Sequence, residues 1–415
     1  MTNPILALIP SGYKAAKVYS ILPNNGIGDF DYNRSTTATR VRKDGLIETV
    51  LPNTAKLNYL GSDCPYFLLE KAATNKQTRS EELSNAVWSK VNVTATADQT
   101  TAPTGELTAD KVQRTSTSPS YINSSVSKSS NTQLNASSSL FVKQGEGDFF
   151  AFRMQGNYPN RADAIFQFSS KTLTTSVGGS NFTITSSKVE DYGEGWYRLS
   201  VSYNTDNAPF VIAHLSPRFT SGVIDDSDTS AAAFAYVWGV QFEEGFGSST
   251  SYIKTVNQAE TRNKDEYTQA GNSTLFNITQ GSFFIDVSPS KSNFSQNITL
   301  GDGTTANRIF WHFLTSNTQI RMEVFVLGTR VVNMTANINF ETRNKMCFTF
   351  KNNEFKLFVN GVLANTDTSG SVPSSLSRLD FARQSGSGNN FKGKVFDLRI
   401  YDTVLTETEA KKITS

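Results

Sequence analysis

Two histidines, two cysteines and a scatter of carboxylates are the residues from which catalysis in this chain would have to be built. His214 lies in FVIAHLSP and His312 in IFWHFL, both inside strand-like runs, and each reads as a packed structural residue. No H-E-x-x-H or His/Cys cluster occurs, so the spacing for a transition metal is missing. A G-x-S-x-G elbow is also missing, and the glycines of GVQFEEGFG follow no βαβ pattern that would make a phosphate cradle. Cutting a glycosidic bond needs two carboxyls about 5 to 9 Å apart. Adjacent acids occur, for example, at Glu81-Glu82, Asp225-Asp226 and Glu243-Glu244. Neighbours on a strand point to opposite faces, so Glu243 and Glu244 cannot flank one bond. The expectation is a protein that is not an enzyme. Cys347, in MCFTF, reads as a small buried hydrophobe, and no disulfide to the distant Cys64 is expected.

Binding is better served. Sugars present C–H faces to aromatic rings and hydroxyls to amides and carboxylates. Trp196, Trp238 and Trp311 sit among large apolar residues and read as core, which leaves the loop aromatics Tyr121, Tyr158 and Phe246 as candidate platforms. Oxygen ligands for calcium are offered by the acidic loop Asp225, Asp226 and Asp228, and by Asp302 in LGDGTTAN. The plainer reading of both is a solvated turn. No other cofactor is expected.

The elements that must position these residues are strands. In EFKLFVNGVLANTDT, apolar and polar positions alternate on either side of Asn360-Gly361, a pair suited to the two positive φ angles of a type I′ hairpin. Runs such as FFAFRMQ, AIFQFSS, GWYRLSVSYN, PFVIAHLSP and AAFAYVWGVQFEE fill residues 81–258, separated by Gly, Asn, Asp or Ser clusters. GSFFIDVSP, RIFWHFLTS, IRMEVFVLG, KMCFTFKNN and GKVFDLRIYDT do the same for residues 259–415. One clear helix is expected, over 406–414, where Thr406 and Glu409 have capping-box spacing. Residues 1–80 read as irregular, with a small hairpin at RSTTATRVRKDGLIETV and a strand in CPYFLLEK. That stretch has too little periodicity for a core of its own, which suggests ordering by a partner or by identical copies.

Composition agrees with a structural, polar-surfaced protein. Of 415 residues, 37% are hydrophobic and only 18% charged, and the net charge is +2. That balance gives no electrostatic footprint for nucleic acid. No run of about 18 apolar residues occurs, so no membrane insertion is expected. MTNPILALIP lacks a basic stretch and is interrupted by Pro10, so it is not read as a secretory signal.

The order GSFFIDV, KMCFTFKNNEFKLFVNGVLANTDT and GKVFDLRIYDTVLTETEA resembles the laminin-G or concanavalin A-like sandwich. NAVWSKVNVTATADQT, GEGWYRLSVSY and FAYVWGVQFEEGFGSSTSYIKT are similar to carbohydrate-binding-module jelly rolls. That last stretch, with DFDYNRSTTATRVRKDGLIE and CPYFLLEKAATN, looks like fibre or appendage proteins of tailed phages. Several sugar-binding jelly rolls carry a calcium-ligating aspartate in the final strand; Trp238 and Gly239 stand there in this chain.

The expected architecture is mostly β. An N-terminal anchoring segment (1–80) precedes two antiparallel β-sandwich (jelly-roll) domains, one like a carbohydrate-binding module (81–258) and one like a lectin (259–415). The resemblance implies a virion-surface homotrimer, attached through its N-terminal segment to a capsid or tail protein and holding a host surface glycan. A secreted polysaccharide-binding adhesin and a capsule depolymerase are the alternatives.

Overall fold

The computed structural model describes residues 3–276, 279–384 and 388–415. Among them are 33 strands, paired antiparallel wherever they form ladders, and one eight-residue helix. The chain divides into two compact units. One comprises Met1–Thr37, Val50–Lys71 and Asn263–Ser415; the other comprises Ala38–Thr49 and Ala72–Arg262.

The second unit is a sandwich of two six-stranded sheets. Its front sheet runs in the order Ser89–Val91, Tyr121–Ser127, Phe210–Arg218, Phe149–Gln155, Arg161–Gln167, Thr172–Gly178. Its back sheet runs Val93–Thr101, Leu107–Arg114, Phe234–Glu244, Asn135–Glu146, Trp196–Asn204, Thr183–Gly193. Strand alternation decides what faces the core. Phe150, Phe152 and Met154 point inward from FFAFRMQ and meet Leu140, Val142, Leu199 and Val237 of the back sheet. The back sheet is buried on its other face too, where Phe141, Trp238 and Tyr252 pack ring against ring. That double burial explains why YVWGV is continuously apolar rather than alternating. Gly239 allows the close approach: its φ is +64°, and a Cβ there would lie 2.9 Å from the Phe141 ring.

In the first unit, an eight-stranded sheet orders Val362–Asp367, Glu354–Val359, Asn344–Lys351, Gln280–Pro289, Gly393–Tyr401, Tyr66–Leu69 and Leu57–Asn58, with Leu6–Leu8 also pairing with Gly393–Tyr401. A five-stranded sheet orders Thr329–Asn337, Gln319–Val326, Arg308–Phe313, Gln296–Gly301 and Arg378–Asp380. Phe283, Trp311, Met322, Phe348 and Leu357 share one core. The Asn360-Gly361 turn has φ of 47° and 81°, as a type I′ hairpin needs. Helix Glu407–Thr414 starts with the expected reciprocal Thr406–Glu409 cap.

Residues 1–80, read from sequence as a core-poor segment, are distributed between the two units and contribute core. Leu6, Leu8, Val18, Phe30, Phe67 and Leu69 are fully buried among residues of the C-terminal sandwich. Their strands are two to four residues long, and those of Leu6, Phe30 and Phe67 pair with partners far along the chain, so only Tyr66–Leu69 shows itself in the local sequence. The anchor is ionic as well as apolar. Asp265 accepts from Tyr32 at 2.6 Å and from the backbone N–H of Glu70 at 2.8 Å, and it pairs with Arg34 at 3.3 Å and Lys56 at 2.9 Å. The hairpin Ala38–Val41/Ile47–Val50 forms around Gly45 as expected, and its Ile47 N–H bonds Pro103 within the second unit.

Candidate functional site

The outward positions of the front sheet carry a row of polar side chains. Asn123, His214, Arg153 and Asp163 lie side by side on four adjacent strands. Arg153 is the centre, and it is only 1% exposed. Its Nε donates to Asp163 at 2.6 Å, and its two terminal nitrogens donate to both oxygens of Asp225 at 2.9 and 2.8 Å. Asp163 uses its second oxygen to accept from Arg161 Nε at 3.0 Å. Burial alone would lower the Arg153 pKa, but the bonds to Asp225 and Asp163 outweigh it and raise it. In return, Arg153 holds the Asp225 carboxyl below the usual carboxylate range. Burial, reinforced by the Arg153 charge, pushes His214 down to about 4, so its imidazole is neutral at pH 7. Arg153, Asp225 and His214 are each held in one protonation state near neutrality. They suit orientation and hydrogen bonding rather than proton transfer.

An aromatic ring stands at each end of this row. The Tyr121 ring meets His214 edge to face, with centroids 5.1 Å apart. At the other end Tyr158 is 67% exposed, with the Arg161 guanidinium 5.4 Å from its ring centroid. The loop that presents Tyr158 is pinned from beneath by buried Asp206. One Asp206 oxygen accepts from Asn157 N–H at 2.8 Å and from Asn160 Nδ2 at 3.3 Å; the other accepts from Ala208 N–H at 3.1 Å. Lys128 in turn bonds the carbonyl of Asp206 at 2.5 Å and the hydroxyl of Thr205 at 2.9 Å. The result is an open aromatic face on a fixed loop, next to a satisfied network of guanidinium and carboxylate groups. An exposed ring and an ordered polar rim are what stacking a sugar requires, and pre-ordering lowers the entropy lost on binding.

Of the three aromatic candidates, the structure therefore brings Tyr121 and Tyr158 to one face. Phe246 follows the back-sheet strand Phe234–Glu244 and is half-buried. The acidic loop is brought to the front face for a different reason than calcium. Asp225 is spent on Arg153. Asp226 accepts from the Val223 N–H at 2.8 Å, closing a turn. Asp228 is buried and accepts from the N–H groups of Phe219, Thr220 and Thr229 and from the Thr220 hydroxyl. Burial works against its charge, but these donors hold its pKa below the usual range. The loop's carbonyls, which a calcium ion would need, are taken by Arg218: its guanidinium donates to Thr220, Val223, Asp226 and Ser227 at 2.8–3.2 Å. The arginine stands where a cation would. Asp302 closes its own turn, accepting from Thr304 and Asn307; burial would raise its pKa, and these bonds lower it. No group of three or more His, Cys, Asp or Glu able to hold a metal occurs among the described residues.

The four tryptophans, Trp88 included, are buried, and both cysteines are free, Cys347 buried and Cys64 exposed. His214 is buried in the front sheet, and His312 bonds Glu323 at 2.7 Å on the five-stranded sheet. The residues that sequence reading missed are Arg153, Arg161, Asp163 and Asp206. Arg153 alone left a signal, as the one charge in FFAFRMQ.

Residues 239–411 match the family described as the concanavalin A-like lectin/glucanases superfamily, a stretch that begins within the strand Phe234–Glu244 and continues through the C-terminal sandwich. No curated protein matches the chain in sequence. Among solved structures, the CBM40 of a Ruminococcus gnavus IT-sialidase bound to alpha2,3 sialyllactose is 18% identical, with a TM-score of 0.29; the match covers 36% of this chain and 94% of that one. Domain 4 of AbnA, a GH43 extracellular arabinanase from Geobacillus stearothermophilus in complex with arabinotriose, is 14% identical over 41% of this chain and 82% of that one, with a TM-score of 0.30. Mouse laminin alpha1 chain domains LG4-5 are 10% identical over 71% of this chain and 89% of that one, with a TM-score of 0.25. Scores this low establish neither a shared ligand nor a shared site.

Proposed function

We propose that this chain is a fibre protein on the surface of a tailed-phage particle, which holds host surface glycans through its β-sandwiches without cutting them. The observation that carries the holding role is the Tyr158 loop: an exposed ring, fixed by Asp206, beside the Arg161–Asp163–Arg153–Asp225 network. The similarity of residues 239–411 to lectin-type sandwiches supports the same role. The virion setting rests on the resemblance of DFDYNRSTTATRVRKDGLIE and FAYVWGVQFEEGFGSSTSYIKT to phage appendage proteins.

A homotrimer docked on a capsid or tail protein belongs to this reading. A shallow sugar site of about 1 mM affinity supplies only about 4 kcal/mol. Linked copies raise avidity by roughly 10²–10⁴ without a new contact. Attachment through residues 1–80 has to be argued on other grounds than a missing core, since those residues are packed into the sandwiches.

The test is retention of the full chain on an array of bacterial surface glycans. Tyr158→Ala should lose a stacking contact and weaken retention about tenfold, at unchanged melting temperature. Equal retention of the variant on every glycan would remove the front face from the account.

A further inference from the structure

The Asn360-Gly361 hairpin, which reads from sequence as scaffold, forms one wall of a cleft of about 550 Å³ in the C-terminal sandwich. The cleft opens where the two sheets end, between edge strands Thr329–Asn337 and Val362–Asp367. Gln319, Thr335 and Asn337 line one wall; Asn360, Val362 and Ala364 line the other. Its volume falls within the range of about 300–1,000 Å³ usual for small-molecule sites.

The chemistry of the walls selects the ligand. Among the described residues, no charged side chain lines the cleft. Gln319 Nε2 donates to Asn337 Oδ1 at 3.1 Å, which leaves Gln319 Oε1 as an open acceptor and Asn337 Nδ2 as an open donor. The Thr335 hydroxyl supplies a third group able to donate or accept. Opposite them Val362 is 63% exposed and offers aliphatic surface with Ala364. Paired donors and acceptors facing a small apolar wall match a ligand with hydroxyls on one side and C–H groups on the other. An anion would find no cation here. An extended peptide adding to the Val362–Asp367 edge would meet Asn365, whose Nδ2 already spans the gap to the Thr335 carbonyl at 3.2 Å.

The hairpin wall is also held from behind. Asn360 Oδ1 accepts from the Lys345 N–H at 2.9 Å, and the Gly361 N–H donates to the Thr414 hydroxyl at 3.2 Å, with Thr414 buried at the end of the C-terminal helix. That helix thereby fixes the turn that shapes the cleft. We infer that this cleft is a second carbohydrate site, specific for an uncharged oligosaccharide and separate from the Tyr158 face. The choice of ligand class rests on the adhesion reading above; the site itself rests on the cleft.

The experiment applies the full chain to an array of uncharged oligosaccharides built from glucose, galactose, mannose and N-acetylglucosamine, together with an extended heptapeptide library. Three variants are compared with the parent: Ala364→Trp, which fills the cleft; Asn337→Ala, which removes the open donor; and Tyr158→Ala. At least one oligosaccharide should be retained by the parent and by Tyr158→Ala, lost with Ala364→Trp, and weakened about tenfold with Asn337→Ala. Should Ala364→Trp fail to fold, Thr335→Val takes its place with the same expected weakening. Retention that depends on Tyr158 and ignores the cleft variants would overturn the second site and leave the adhesion reading standing. No retained oligosaccharide at all would overturn the second site, while the adhesion reading is decided separately on the bacterial surface glycans. Cleft-dependent retention of peptides alone would overturn the carbohydrate assignment.

Discussion

At the scale of single residues, Arg153, Asp225 and His214 of the front face each keep one protonation state near neutrality. His214 shows this most plainly. Its folded pKa of about 4 lies below the ordinary 6.5, first because it is buried and then because Arg153 is beside it. The unfolded chain therefore takes up a proton that the folded chain refuses. Stability should be fully present above about pH 6.5 and fall as the pH drops toward 4, by about 3 kcal/mol in all. Thermal melts of the parent across this window should slope downward with acid, and those of His214→Gln should lose that part of the slope. Identical slopes would mean that the imidazole is not desolvated as described. Tyr158 was legible as a candidate because an aromatic residue in a polar loop stands out; Tyr121, read from sequence as a loop residue, instead opens the strand Tyr121–Ser127, whose polar INSSVS run shows little apolar pattern. The network between them was not legible. Arg153 meets Asp163 ten positions on through the register of the sheet, and Asp225 far beyond it through the loop that follows Phe210–Arg218. The acidic loop belongs to the same scale: spacing shows three acids that could be a turn or a calcium site, but it cannot show that Arg218 donates to the loop's carbonyls.

At the scale of elements, strands with full alternation were readable; of those of two to four residues, only Tyr66–Leu69 and the Ala38–Val41/Ile47–Val50 hairpin were. Tyr66–Leu69 was legible as a strand; that its partner is Gly393–Tyr401 was not. Leu6–Leu8 offers three positions, all buried, and no pattern can be read from three. What joins the early strands to the C-terminal sandwich is centred on Asp265, which lies just before the strand Glu266–Thr268 that pairs with Phe30–Asn33. Removing its carboxylate by Asp265→Ala would leave Arg34 and Lys56 buried with one partner fewer. The expected cost is about 3–5 kcal/mol in urea unfolding, typical of breaking a buried pair from one side. A loss below about 1 kcal/mol, the size of a surface pair, would show that the N-terminal strands are held by apolar contacts alone.

At the scale of the whole molecule, the chain passes between its two compact units four times, at 37/38, 49/50, 71/72 and 262/263. Two sandwiches and their class were legible from composition and turn spacing. The interleaving was not, because it depends on pairings between the chain's ends. Fibre assembly is a matter of mass: one chain is 45.6 kDa, so a homotrimer should scatter light as a particle of about 137 kDa. A monomer would remove trimerisation from the isolated chain's properties. Holding without cutting is the central claim, and one measurement addresses it directly. The full chain is incubated with immobilised bacterial surface polysaccharide, and bound protein and newly released reducing ends are followed together. The account predicts saturable binding, weakened about tenfold by Tyr158→Ala, with no reducing ends above the protein-free control. Release of reducing ends, or binding indifferent to Tyr158 and to the cleft variants alike, would contradict it.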